Sequence, residues 1–470
     1  MTRKLTLPRL APLTAVAAAV LLSGCQIMPA FFKPVPPVPA SYPAGDSATA
    51  KPVADIGWSE FFQNPDLREA ISTALNNNRD LKTAVLRIEE ARALYNIQRA
   101  DQLPTVNATG GVTTSRQLFA GTMRETTAYQ VGLGMAAFEL DFFGRVKNLS
   151  EAALAQYFAT EEARRAFQIS IVGEVAKAWL TERALAEQMQ LAERTLKART
   201  ASRDLVKKRL DAGITNAMEF QQSETLVHSA RVSLLALRRQ HALAVNALTL
   251  LTGSGAKLPP QTATLSTQVI TADIGAGLPS DLLERRPDIR AAEQRLRATQ
   301  ANIAAARAAF FPRISLTAGL GLASSDLGDL FDTGSRTWNF APQLVLPIFD
   351  NGRNKSGLSL AEVRSNIAVA DYEKTIQVAF REVADALSAR ATLAEEIDAQ
   401  KAVRDAQAER LSLAQARYQN GIANYLDVLD AERELFNAEQ ALVQSQLLRL
   451  TNAVDLYRSL GGGLAEAGKQ

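Results

Sequence analysis

The residues whose types could support catalysis or metal binding are few and scattered in this sequence. The two histidines, His228 and His241, are thirteen positions apart, which is not the i, i+4 spacing of a histidine pair that binds metal from one helical face. Serines and carboxylates are plentiful but lie along segments with helical patterns, as on solvated helix surfaces. We therefore expect neither catalytic residues nor a metal site, and no cofactor.

Two acids that follow a glycine form the most informative polar pattern. Asp427 and Asp430 come shortly after Gly421 and are three positions apart, so a helix would place them on one face. In a symmetric oligomer such a pair becomes a ring of carboxylates, which favours cations at a narrow opening. The alternative is that both are ordinary surface acids of an amphipathic helix.

Covalent chemistry is expected at Cys25, the only cysteine. A basic segment, residues 1–9, and a short apolar stretch, Leu13–Leu22, precede it, and this stretch is too short to span a bilayer as a helix. The sequence Leu22-Ser-Gly-Cys25 resembles the lipobox of bacterial lipoproteins. That resemblance implies cleavage before Cys25, a diacylglyceryl thioether and an acylated amine, which together anchor a chain stably. Gln26 is compatible with delivery to the outer membrane.

The charge balance argues against a nucleic-acid partner. The full chain has 52 basic and 49 acidic residues, and removal of residues 1–24 takes away Arg3, Lys4 and Arg9. The mature chain is then neutral, whereas a nucleic-acid-binding protein shows a basic footprint. After the signal segment no run of 18 apolar residues occurs, so no transmembrane helix is predicted.

The sequence contains an internal duplication at a constant offset of 208 residues. Such repeats indicate structural units. Matching positions occur without insertion or deletion: Pro104 with Pro312, Gly144-Arg145 with Gly352-Arg353, Glu174 with Glu382, Gly213-Ile214 with Gly421-Ile422, and Gly253 with Gly461.

Each repeat contains a very long helical segment, a glycine and a second helical segment. Leu358 to Asn420 has 63 residues without Gly or Pro, which corresponds to a helix of roughly 95 Å. Its counterpart, Val146 to Ala212, is interrupted only by Gly173. Gly213 and Gly421 stand where left-handed residues end helices, so each copy is predicted to end in a long antiparallel hairpin.

A shorter helix is expected before each strand pair. The segments Asp66 to Leu103 and Asp288 to Phe311 contain neither Gly nor Pro. We therefore predict one uninterrupted helix in each, ending at Pro104 and Pro312.

Four segments alternate with a period of two, as transmembrane β-strands do. Apolar residues occupy every second position in Thr105–Thr113, around Tyr129–Met135, in Ile314–Leu322 and around Trp338–Leu346. Polar loops are expected at Gln117–Ala128 and Ser325–Thr337. The second and fourth stripes are out of phase by one residue under the 208-residue offset, which predicts a bulge or a local shift.

The strands predict an oligomer. Four strands cannot close a barrel, and open sheet edges do not persist in lipid. Several chains must therefore share one barrel, although this reasoning does not give their number. A soluble coiled-coil scaffold would explain the helical hairpins but not the alternating segments.

The whole mature chain resembles the TolC-like outer-membrane efflux proteins, and its lipobox places it nearest the OprM-type lipoproteins. The resemblance rests on the order of the strand pairs and hairpins and on several local matches: Trp58-Ser-Glu-Phe-Phe62, Asn77-Asn-Arg-Asp-Leu81, Asp141-Phe-Phe-Gly-Arg145 and Phe349-Asp-Asn-Gly-Arg353.

The resemblance implies a mixed fold, in which a membrane β-barrel continues into an α-helical barrel. It implies a homotrimer with a 12-stranded barrel, four strands from each chain, and a coiled-coil tunnel in the periplasm. The expected divisions are a signal peptide at 1–24, a lipid-anchored extended segment at 25–65, repeats at 66–253 and 281–461, a linker in an equatorial belt at 254–280, and a tail at 462–470.

The resemblance also implies a periplasmic gate near the second glycine turn. The family's acids fall on Asp427 and Asp430, and its apolar ring falls on Leu426. Tyr418, beside Arg417, matches a tyrosine that ties the second hairpin to the first. Its partner position falls on Glu219, where the family pattern has Asp. The turns are expected to contact the hairpins of a periplasmic adaptor through residues that include Arg209, Gly213 and Gly421.

The predicted function is passive conduction across the outer membrane. An adaptor would open the gate, and an inner-membrane transporter, of the proton-driven multidrug class by the lipoprotein resemblance, would deliver the substrate. The alternatives are the channel of an ABC-type secretion or metal-export system, or a periplasmic adaptor lipoprotein.

Overall fold

The structure, a computed structural model, describes residues 31–42, 53, 56–253, 264–265, 270 and 279–464. The predicted signal peptide and the lipidation site at Cys25 lie outside these residues. Most of the predicted linker and the end of the tail lie outside them as well. Among the described residues, no helix is both long enough and apolar enough to cross a membrane.

The first repeat contains two long helices that form a hairpin after a pair of strands. Its elements, in chain order, are α1 Trp58–Phe61, α2 Pro65–Asn77, α3 Arg79–Ala100, β1 Val106–Phe119, β2 Thr122–Leu140, α4 Arg145–Asp211 and α5 Ala217–Thr252.

From α2 onwards, the second repeat has the same order of elements as the first. They are α6 Pro279–Arg285, α7 Pro287–Ala308, β3 Arg313–Ser324, β4 Arg336–Val345, α8 Arg353–Gln419 and α9 Tyr425–Ser459. The bounds of α3 and α7, and those of α4 and α8, correspond at the 208-residue offset. The predicted duplication and the two long helical hairpins are therefore confirmed.

The four strands form one antiparallel sheet in the order β1-β2-β3-β4. The two hairpins of the sheet are joined by pairing between β2 and β3, for example Gly132 with Gly321. Within the described part of the chain, β1 and β4 are the sheet edges. The strand prediction is thus confirmed.

The predicted polar loop at Gln117–Ala128 is wrong, because strand pairing continues through it. β1 and β2 are joined by a two-residue turn at Ala120 and Gly121, whose φ angles are 48° and 83°. Two positive φ angles make a type I′ turn, whose twist matches that of the paired strands. The other predicted loop, Ser325–Thr337, is shorter than expected by two residues, since β4 begins at Arg336.

A β-bulge in β2 explains the phase difference between the second and fourth strands. The pairing of β2 with β3 shifts between Met135 and Phe138, which adds one residue to β2. Ala137 has φ 51°, and its N–H donates to Thr317 Oγ1 over 3.1 Å. The register of β3 with β4 is continuous, so only one of the two stripes is displaced.

The uninterrupted helix predicted from Asp66 is wrong, because the chain breaks between α2 and α3 at Asn78. The amide side chain of Asn78 accepts from the N–H of Leu81 at 2.9 Å and donates to the carbonyl of Leu251 at 2.8 Å. Asn78 therefore caps α3 and also binds the last turn of α5. A side-chain cap of this kind offers the backbone an alternative to the helix.

The chain divides into two compact units, each built from both repeats. The first contains the sheet, and here the side chains of the single chain are widely exposed: Trp338 is 79% and Phe340 61% accessible. The second contains the ends of both helical hairpins and a packed aromatic core. In that core Phe61 stacks on Tyr457 with ring centroids 3.9 Å apart, and Tyr457 donates to the carbonyl of Ile56.

Candidate functional site at the hairpin tips

Each helical hairpin turns at a glycine in the left-handed conformation, as predicted. Gly213 and Gly421 have φ angles of 71° and 72°. Their N–H groups bond to the carbonyls of Leu210 and Tyr418, and the following N–H bonds one residue further back, at Arg209 and Arg417. This is the Schellman pattern that satisfies the last carbonyls of a helix. Both glycines are exposed.

The returning helix α5 begins with a fixed carboxylate. Asn216 caps the helix by accepting from the N–H of Glu219 at 3.0 Å, which is the usual role of an Asn at this position. The hydroxyl of Thr215 donates to Glu219 Oε2. The other carboxylate oxygen of Glu219 is thereby held in a defined position at the start of the helix.

Tyr418 of the second hairpin is bound between two charged side chains of the first. Its hydroxyl donates to Glu219 Oε1 over 2.8 Å and accepts from the Arg209 guanidinium. The guanidinium carbon also lies 4.9 Å from the centre of the Tyr418 ring, within the range of a cation–π contact. We call Arg209, Glu219 and Tyr418 the tyrosine latch.

The surroundings of Tyr418 keep its phenol protonated. Burial, followed by the hydrogen bond to Glu219, raises the pKa of Tyr418 to about 12. The phenol therefore remains a proton donor to the carboxylate throughout the physiological pH range. The predicted pairing of Tyr418 with Glu219 is made.

Arg209, and not the predicted gate residue Arg417, is the arginine that contacts Tyr418 within the chain. Arg417 is exposed and, in the part of the chain that the structure describes, it forms no ion pair. It directly precedes Tyr418, so its side chain leaves the helix about 100° around the axis from that of the tyrosine. Arg209 had been predicted only as a tip residue, and no local pattern distinguishes its role.

The predicted gate acids do not bond to the first hairpin within one chain. Asp430 accepts from Arg410 of α8 at 2.6 Å and from Arg433 of its own helix. Asp427 and Leu426 are both exposed. Leu426, Asp427 and Asp430 all lie near the start of α9, and the first two are accessible.

An apolar cluster holds the two hairpins together beside the latch. Val206 of α4 packs against Tyr425, Val428 and Leu429 of α9, and all four are buried. The Tyr425 hydroxyl also hydrogen-bonds to Ser202. We call these four apolar residues the tip cluster.

The histidines have structural partners. His241 Nε2 lies 2.7 Å from Glu182 Oε1, and the buried Glu182 also binds the guanidinium of its neighbour Arg183. His228 is exposed and lies 3.3 Å from Glu224. Over the described ranges of the chain, no three potential ligands come together to hold a metal ion.

Known proteins match this chain over nearly its full length. The sequence profile of the outer membrane efflux protein family matches residues 70–254 and 278–462. The outer membrane protein OprJ of Pseudomonas aeruginosa is 46% identical over 461 residues, which cover 96% of this chain and 96% of OprJ. The toluene efflux pump outer membrane protein TtgC of Pseudomonas putida is 44% identical over 467 residues, 97% of this chain and 96% of TtgC.

A solved structure shows the same architecture. The open state of the MtrE outer membrane channel of Neisseria gonorrhoeae superposes with a TM-score of 0.86 at 40% sequence identity. The match covers 94% of this chain and 99% of MtrE.

Proposed function

The chain belongs to the outer membrane efflux protein family, and we propose that three copies of it form one passive conduit whose inner end is closed by the hairpin tips. Efflux across the outer membrane is the function of this family. The finer points are how the copies join, which residues form the gate, and which proteins deliver the substrate.

The sheet supports a barrel shared between copies. Val131 pairs with Leu322 and Leu320 pairs with Trp338, so one face of the sheet is apolar. The opposite face carries Gly132, Gly321 and Thr337. This alternation fits strands with lipid on one side and an aqueous lumen on the other. Three chains with four strands each would close a 12-stranded barrel without edges.

The tyrosine latch is the observation that carries the gate proposal. Tyr418 binds residues that belong to the other hairpin of the same chain, so separating the hairpins requires this contact to break. Leu426, Asp427 and Asp430 follow on the same hairpin, and the first two are accessible. In a trimer they would form the apolar ring and the acidic rings that narrow the inner opening.

We further propose that the turns at Gly213 and Gly421 dock on the helical hairpins of a periplasmic adaptor, which pulls the tips apart. A proton-driven inner-membrane transporter would supply the substrate. TtgC is by its name part of a toluene efflux pump, and small apolar or amphipathic compounds are accordingly the substrates proposed here. The pump, and not the conduit, would select them.

The chain is proposed to be anchored by lipid on Cys25. Residues shortly after this position are bound to the protein: the backbone of Phe32 exchanges two hydrogen bonds with the side chain of Gln300. The ammonium of Lys33 lies 2.8 Å from Glu293, and the Arg297 guanidinium lies 4.4 Å from the ring of Phe31. These contacts attach residues 31–33 to α7, six to eight positions after Cys25.

The gate is tested by removing its acids. The double variant Asp427→Ala, Asp430→Ala should conduct more than the unmodified channel in planar bilayers, because it lacks both carboxylate rings and the ion pairs of Asp430. Replacement of Asp398 and Asp405 on α8 by Ala provides a matched control with two fewer acids away from the tip. Equal conductance of all three proteins would remove Asp427 and Asp430 from the gate.

A further inference from the structure

The charged half of the tyrosine latch occurs twice in the chain. Arg209 and Glu219 of the first hairpin correspond, at the offset of 208 residues, to Arg417 and Asp427 of the second. Both pairs flank a glycine turn of the same conformation. The second hairpin therefore carries the same arginine and carboxylate at the positions from which the first hairpin binds a tyrosine.

The second pair has no partner in the described residues of a single chain. Arg417 and Asp427 are both exposed, whereas Arg209 and Glu219 are half-buried around the tyrosine. Arg410 and Arg433 bind Asp430 and leave Asp427 free. Within the described residues of one chain, the second pair thus binds no tyrosine, and we call it the socket.

The sheet order indicates what faces this socket. The strands run from the first repeat to the second, with β1 and β4 as the edges. In the closed ring of the proposed function, β4 of one copy must meet β1 of the next. Each second hairpin then has a first hairpin on both sides, one from its own chain and one from a second copy.

The residue that would enter the socket from the second copy cannot bind it. Tyr418 corresponds at the same offset to Leu210, which has no hydroxyl to place between Arg417 and Asp427. The contact between copies therefore lacks the hydrogen bonds that the contact within a chain has.

The tip cluster is also weaker at the equivalent positions. Val206, Tyr425, Val428 and Leu429 correspond to Ala414, Ala217, Phe220 and Gln221. A valine, a leucine and a tyrosine are replaced by two alanines and a glutamine, while Phe220 is larger than its counterpart Val428. Phe220 and Ala414, however, already pack against the tip cluster of their own chain. The contact between copies therefore has fewer apolar side chains available to it, and apolar burial is a main source of stability.

From these observations we propose that Arg417 and Asp427 form a tyrosine socket that faces the first hairpin of a second copy and binds no tyrosine there. The closed ring of hairpins then has two kinds of seam, by which we mean the contact between neighbouring hairpins. The seam within each chain is held by the tyrosine latch, and the seam between copies is not. Opening begins between copies, and full opening also breaks the latch within each chain. This inference rests on the proposed function for the placement of the neighbouring copy.

A hydroxyl supplied to the socket should close the weak seam. The test starts from a Tyr418→Phe channel, whose own latch lacks the hydroxyl. Adding Leu210→Tyr to this channel should lower the open probability in planar bilayers about tenfold, because a hydrogen bond to a charged group stabilises the closed state by about that factor. Adding Leu210→Phe should leave it unchanged. Adding Asp427→Asn together with Leu210→Tyr should abolish the decrease, as a double-mutant cycle requires of a direct contact.

The opposite results would overturn the socket. If Leu210→Phe closes the channel as much as Leu210→Tyr does, packing and not the hydroxyl is responsible. If the decrease survives Asp427→Asn, measured against Tyr418→Phe with Asp427→Asn alone, the tyrosine does not bind this carboxylate.

Cross-linking tests the placement without relying on conduction. With Cys25 present throughout, the pair Leu210→Cys, Asp427→Cys treated with a short bis-maleimide should yield covalently linked copies. The pair Tyr418→Cys, Glu219→Cys should yield links within one chain only, and each single variant should yield neither. Absence of linked copies overturns the socket. Linked copies of a protein that does not conduct would instead contradict the proposed function and leave the socket in place.

Discussion

At the scale of single residues, the tips are held by a few contacts to charged groups. A hydrogen bond to a charged partner contributes about 1.5–3 kcal/mol when buried, and less where water reaches it, as it does at Tyr418. One such contact would not keep a channel closed. Three copies that open together would have to break three such contacts. The free energies of the three contacts add, so that a contact that is weak by itself can restrain the gate.

Removing one hydroxyl from Tyr418 should weaken closure. Tyr418→Phe keeps the ring and its cation–π contact with Arg209 but loses the hydrogen bonds that the hydroxyl makes with Glu219 and Arg209. We expect the open probability in planar bilayers to rise by about tenfold or more. Tyr95→Phe on α3 is the matched control and should behave as the unmodified protein. A rise of the same size in both variants would show that the latch does not restrain opening.

The latch should also respond to alkaline pH. Tyrosine ordinarily has a pKa of about 10, and that of Tyr418 is raised to about 12. Below pH 10 the phenol is protonated whether the latch is closed or open, so closure is unaffected. Between these two values the free phenol ionises and the bound one does not, so the stability of closure declines as pH rises. The open probability should therefore increase over this range, and in Tyr418→Phe this component of the pH dependence should be absent.

At the scale of secondary structure, glycines with the same backbone conformation have different reasons to be glycine. Gly213 has φ 71° and open space around it. Gly253 has φ 67°, and a Cβ there would lie 2.5 Å from the carbonyl oxygen of Asn77. The first glycine only ends a helix, while the second also lets the end of α5 approach the end of α2. Gly461 makes the same close approach in the second repeat of the chain, where a Cβ would lie 3.3 Å from the carbonyl oxygen of Arg285.

This difference predicts unequal costs for the same substitution. Gly213→Ala should lower the free energy of unfolding by about 1–2 kcal/mol, the cost of a left-handed residue with a side chain. Gly253→Ala has the same strain and also forces the Asn77 backbone to move, so it should cost more. Thermal unfolding followed by far-UV circular dichroism in detergent compares the two. Equal destabilisation would mean that the contact at Asn77 relaxes without cost.

At the scale of the whole molecule, a single chain leaves its sheet incomplete. Two edge strands lack partners among the described residues, and every residue of β4 is exposed. In lipid, unpaired backbone groups are costly, so the assembly of several copies follows from the sheet and does not require the proposed lipid anchor. The proposed anchor and the barrel would be separate means of attachment.

The separation can be tested at Cys25. Cys25→Ser should remove the mass of the acyl groups from the intact protein, as measured by mass spectrometry. The purified variant should still form trimers and conduct, because four strands per chain remain to hold it in the bilayer. A variant that stays in the soluble fraction as a monomer would show that the anchor is required for assembly.

Much of the fold could be predicted because it depends on local or periodic patterns. A long run without Gly or Pro specifies α4 and α8, a period of two specifies the strands, and Gly213 and Gly421 mark the turns. The errors occurred where a single contact overrides the local pattern. Asn78 interrupts a helix by binding Leu251, and the polar residues after Gln117 remain paired because Ala120 and Gly121 form a tight turn.

The sequence by itself determined the duplicated order of elements and the need for an oligomer, and its resemblance to a family predicted Tyr418 and Glu219 as a pair. The tertiary structure alone decided that Arg209 and not Arg417 completes the latch, and that one added residue near Ala137 shifts β2. The physical reason is that helix and strand patterns depend on neighbours along the chain. Which of two equivalent arginines meets a tyrosine depends on how separate hairpins pack, and no spacing in the sequence records that.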